Sequence, residues 1–167
     1  MHDQLYIGAP NGVVLCVDGM SSRGCSGRFY HSYQDEPVLF GGLGEMIFRM
    51  EEFYDSLNFP RRSNNVRNFT EEHAEHSRSM EKEKEKVMAD QELLGHRGQQ
   101  ETFIVRVQHR QNNTWQGRIT WADKNKTLNF RSIWEMVHLM ENALYENATP
   151  EEMPQVESWE DEEGKQE

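Results

Sequence analysis

The side chains in this sequence best placed to do chemistry are arginines. Arg28 and Arg118 each follow a glycine inside a strand-like stretch, and Arg106, Arg110 and Arg131 fall on the same strand parity as Arg118. Together they are candidates for a sheet face that meets an anion or a nucleic acid. The loop PRRSNNVR adds Arg61, Arg62 and Arg67. The competing reading of the same residues is a cross-strand polar network, or ion pairs with Asp18 and nearby glutamates. Catalytic signatures are missing: there is no GxSxG elbow, Walker loop, HExxH or CxxC. No catalytic residue, cofactor or metal site is therefore nominated, and the chain is not read as an enzyme. The cluster GGLGE at 41–45 sits between a strand and a helix, where phosphate loops occur, but it reads as a tight turn with Gly42 as N-cap. His73 and His76 stand three apart without an evident third ligand. Cys16 and Cys25 fall on opposite sheet faces and read as free thiols. Trp115 and Trp121 alternate inward, as core residues.

The elements that hold these residues emerge once the chain is divided by charge. Its 167 residues carry 18 Lys+Arg against 29 Asp+Glu, a formal charge of −11, and only 35% are apolar. Residues 1–57 carry 8 acids and 3 bases, residues 58–100 carry 8 of each, and residues 101–147 carry 5 acids and 6 bases. The last stretch, 148–167, has 8 acids and 1 base, and reads as a disordered acidic tail. Residues 71–94 alternate Glu and Lys without Gly or Pro, which predicts a solvated helix with i,i+4 ion pairs. No run approaches the ~20 apolar residues of a membrane span, and the first residues lack a signal pattern. The expectation is a soluble cytoplasmic protein with no membrane contact.

Residues 13–57 and 103–147 align without a gap at an offset of 90, with 8 of 45 positions identical. Chance gives about three for average composition. The identities include Val17/Val107, Gly27/Gly117, Arg28/Arg118 and Glu51/Glu141. The second copy reads as three short strands, TFIVRVQHR, TWQGRITW and TLNF, and then a helix opened by Ser132 with Glu135 in a capping box. Its stripe is Ile133, Met136, Val137, Met140 and Leu144; the first copy's is Leu43, Met46, Ile47, Met50, Tyr54 and Leu57. The fold class is thus α+β, a tandem β-β-β-α repeat of two three-stranded antiparallel meanders, each with one packed helix. The units span 1–59 and 101–147, joined by a polar loop and charged helical linker over 60–100 and followed by the tail. Strand alternation sends Phe103, Val105, Val107, Ile119, Leu128 and Phe130 towards the helix, and Arg106, Arg110 and Arg118 away from it. The first copy's outer face is more apolar. Val14, Cys16, Tyr30 and Leu39 there, with Trp134 at the start of the last helix, are the expected contacts between units or between copies of a homodimer.

Two resemblances follow from these motifs. A helix at 71–94 followed by the second unit has the α-β-β-β-α order of a double-stranded RNA-binding domain, but Asn129–Trp134 lacks that family's basic cluster, holding one arginine and no lysine. RQNNTWQGRITW followed by FRSIWEMVHLMENAL, within 103–145, resembles a short module of small uncharacterised bacterial proteins. That resemblance implies a bacterial cytoplasm and no particular activity. The functional expectation is a non-enzymatic adaptor or regulator that acts through protein–protein contacts. The alternatives are an RNA- or DNA-binding protein that uses the second unit's arginines, and an acidic inhibitor of a nucleic-acid-acting protein.

Overall fold

The computed structural model describes residues 5–63, 69 and 84–146. Its elements run β1 (Val13–Ser21), β2 (Gly24–Tyr30), β3 (Val38–Phe40), α1 (Leu43–Leu57), α2 (Asp90–Leu94), β4 (Glu101–His109), β5 (Gln116–Trp121), β6 (Lys126–Phe130) and α3 (Ile133–Glu146). The strands form one six-stranded antiparallel sheet in the order β3-β2-β1-β4-β5-β6. VVLCV and TFIVRV are near-continuous apolar runs, and such runs suit strands covered on both faces. They become the two central strands, buried from Val13 to Val17 and from Glu101 to Val107.

Each group of three consecutive strands is antiparallel, and the two groups belong to one continuous sheet. They join edge to edge through β1 and β4, with Val13 opposite Val105, Val14 opposite Ile104 and Leu15 opposite Phe103. At the 90-residue offset, Val14 faces its own counterpart and the pairs on either side exchange places. The pairing is thus symmetric about the Val14–Ile104 pair. Both groups also slip register at the same place, between Val17 and Gly19 in β1 and between Val107 and His109 in β4. Beside these bulges the neighbouring strand comes very close. A Cβ on Gly27 would lie 2.0 Å from the Cys16 carbonyl oxygen, and one on Gly117 would lie 2.0 Å from that of Arg106.

Helices α1 and α3 cover one face. Met46, Met50, Phe53 and Tyr54 of α1 and Met136, Val137, Met140, Ala143 and Leu144 of α3 are buried in one core with Phe29, Phe103, Val105, Trp115 and Phe130. Gly42 is the N-cap of α1. Ser132 Oγ accepts the Glu135 amide at 3.1 Å, while the Glu135 carboxylate turns to Arg131 instead of completing the capping box. Leu128, expected inward, is 57% exposed on the edge strand β6.

The central part of the opposite face is covered by the chain's own segments. Ile7, Met88 and Leu93 pack on Val14, Cys16 and Ile104, with Leu5, Leu94 and Tyr30 around them. This overturns the helix expected across 84–89. The Val87 and Met88 amides both donate to the Ser32 carbonyl, at 2.7 and 3.1 Å, so they are taken out of any helical ladder, and helix forms only at Asp90–Leu94. Burying Met88 and Leu93 is worth about 1.5–3 kcal/mol each, against about 0.2–0.5 for a surface i,i+4 ion pair. The short α2 also lies across the sheet from α3. The remainder of the 71–94 stretch, from 71 to 83, and the acidic tail lie outside the described residues.

Candidate functional site

The bulge at Gln108 decides where the arginines go. Simple alternation places Arg106 and Arg110 on one face, but the extra residue turns Arg110 over to the helix side. There its Nη1 donates to Asp55 Oδ1 at 2.7 Å and Glu51 Oε1 at 3.1 Å, and its Nε to the Pro60 carbonyl at 2.7 Å. Arg62 closes the group, with Nη2 at 2.7 Å from both Glu51 and Asp55. The Trp115 indole N–H donates to Glu51 Oε2, and its ring meets the Tyr54 ring edge-on at 5.4 Å. Burial pushes the Tyr54 phenol well above its ordinary range. Two guanidiniums and two carboxylates balance here, so the cluster ties α1 to the β4–β5 hairpin of the other group. It does not present a free charge.

Next to this cluster lies a cleft of about 200 Å³, lined by Ile47, Phe48, Trp115 and Ile133 on its apolar walls and by Glu51, Arg62 and Arg110 on its polar side. Small-molecule sites run to about 300–1,000 Å³, so this one suits a single inserted side chain better than a cofactor. Phe48 is 74% exposed at its rim, and Trp134, next to Ile133, is 78% exposed. Both rings sit off the buried stripes of their helices. Phe48 was not among the residues singled out from sequence, although an aromatic off the apolar stripe was a legible signal.

The other nominated residues scatter. Arg28 is a partly buried ion pair with Asp18 and also donates to the Arg97 carbonyl at 3.1 Å. Burial works to raise the Asp18 carboxyl, but the Arg28 bond and the Gln99 amide outweigh it and hold it below the usual range. Arg131 is largely exposed, 3.3 Å from Glu135. Arg61 is exposed and Arg67 lies outside the described residues, as do His73 and His76. Val14 and Cys16 sit at the joint between the strand groups, under Met88 and Leu93. Tyr30 stacks on His96 at 3.6 Å, and Leu39 is 66% exposed. Cys16 and Cys25 are both free and buried, and burial pushes each thiol up to about 11. Among the described residues no group of three His, Cys, Asp or Glu is placed to hold a metal, and no helix is long and apolar enough to cross a membrane.

Of the arginines on the face away from the helices, Arg106 and Arg118 stand apart, opposite each other on β4 and β5. Arg106 is buried beneath Tyr6, a residue ahead of β1 that the strand pattern did not single out. Comparison with protein-family models, with curated proteins and with solved structures returns no match.

Proposed function

We propose that this chain is a non-enzymatic cytoplasmic binding protein, an adaptor or regulator that works through protein–protein contacts and is built from two copies of one β-β-β-α unit. The observation that carries the binding reading is Phe48, largely exposed where it lines an apolar-walled cleft, with a second exposed aromatic, Trp134, on the helix residue that follows the cleft-lining Ile133. Large aromatic anchors next to a pocket are where binding energy concentrates in protein interfaces. The partner that fits presents one bulky apolar side chain to the cleft and polar groups to its Glu51–Arg62 side. The duplication is supported by the shared positions of the bulges, by the matched glycines Gly27 and Gly117, and by the symmetric β1–β4 pairing.

The test is photo-crosslinking from position 48 in the native host, with and without Trp134→Ala. The expected result is capture of a discrete protein partner that is lost in the variant. Trp134→Ala should leave the unfolding midpoint nearly unchanged, since exposed substitutions typically cost within about 0.5 kcal/mol. Capture that is indifferent to Trp134, or no capture at all, removes the support for this surface.

A further inference from the structure

The outer face of β4 and β5 carries two arginines that have no acidic partner among the described residues. Arg106 is only 4% exposed; its guanidinium donates to the Tyr6 carbonyl at 3.0 Å and to Thr120 Oγ1 at 2.7 Å, both neutral acceptors. Its Nε is buried and has no partner among the described residues. Directly across the strand pair, Arg118 is exposed and makes no hydrogen bond or ion pair among the described residues. Arg28, Arg62, Arg110 and Arg131, by contrast, each sit against a carboxylate.

The first half shows what compensation looks like at the equivalent place. Cys16, Asp18 and Arg28 hold the positions of Arg106, Gln108 and Arg118, and Asp18 neutralises the one arginine there. The second half has two arginines and an amide in place of the acid. A buried cation without a countercharge is costly, and like charges opposite each other across a strand pair add to that cost. An arriving anion relieves both terms. Two guanidiniums call for about two negative charges on one group, which matches a phosphate monoester and exceeds the single charge of a nucleic-acid diester.

We propose that Arg106 and Arg118 form a site for a small phosphate-monoester dianion. Arg118 makes the direct contact and Arg106 supplies the second charge from beneath. The Tyr6 ring, 58% exposed and 4.8 Å from the Arg106 guanidinium carbon, flanks the bound group. The site lies across the sheet from Phe48 and Trp134, so it stands independently of the protein-binding surface.

The test is an NMR titration of the arginine Nε–H signals of the full chain at constant ionic strength, using inorganic phosphate, a nucleoside 5′-monophosphate and a single-stranded oligonucleotide. The expected result is a saturable shift of the Arg106 and Arg118 signals by both small phosphates. Arg118→Gln should raise Kd at least about tenfold. Affinity should also fall several-fold as pH drops through about 6, where the dianion takes up a proton. A stronger response to the monophosphate than to inorganic phosphate identifies an organic phosphate as the ligand, and equal responses identify phosphate itself. Arg118 is exposed, so Arg118→Gln keeps the test valid should an Arg106 variant fail to fold. No saturable shift up to about 20 mM phosphate, well beyond a millimolar Kd, overturns the site. So does an unchanged Kd in Arg118→Gln, or tighter oligonucleotide binding that weakens steeply with salt.

Discussion

At the scale of single residues, buried His31 makes stability depend on pH. It is 6% exposed, stacked on the Phe53 ring at 4.0 Å, and its Nδ1 accepts the Tyr33 amide at 3.1 Å. Burial, helped by the Lys84 charge, pushes its pKa down from the ordinary 6.5 to about 4. Between those values the unfolded chain binds a proton that the folded chain refuses, so stability must fall as pH drops from about 6.5 to about 4, by at most about 3 kcal/mol. Denaturant melts across this window should show the loss in the wild type and a shallower slope in His31→Gln, whose side chain does not titrate; equal slopes would refute the assignment. Nothing in the local run FYHSYQ marks this histidine as buried. The burial is created by Phe53, which arrives from α1 more than twenty residues later.

At the scale of elements, glycine positions carry the geometry of the paired bulges. The carbonyl that a Cβ on Gly117 would strike is backbone and cannot swing aside. Gly117→Ala and Gly27→Ala should each cost about 1–3 kcal/mol, towards the upper end. Gly44 lies early in α1, and a Cβ added there would meet nothing within 4 Å, so Gly44→Ala should stabilise by about 0.5–1 kcal/mol. Urea midpoints for the three variants check the ordering, and a neutral Gly117→Ala would contradict the strand approach. The identity of Gly27 with Gly117 is visible in the sequence at the 90-residue offset. Its cause is not, because a bulge is defined by two residues facing one across strands, and strand periodicity counts along one strand only. The same hidden residue sent Arg110 to the helix side.

At the scale of the whole molecule, both strand groups share one sheet and one continuous core that runs from Phe29 and Met50 through Val105 to Met140. Neither group buries its central strand alone, so unfolding should be a single transition with equal calorimetric and van't Hoff enthalpies. Two resolved calorimetric transitions would mean that the groups fold independently. Taken by itself, the sequence determined the strands, the helices α1 and α3 with their buried stripes, the mixed α+β class and the uneven distribution of charge. All of these follow from local periodicity and composition. Only the tertiary structure decided that the two groups join through β1 and β4, that Met88 and Leu93 cover the apolar outer face, and that Arg106 and Arg110 part to opposite sides. Those outcomes depend on pairing between segments far apart in the chain and on bulges within the strands, and neither leaves a local pattern to read.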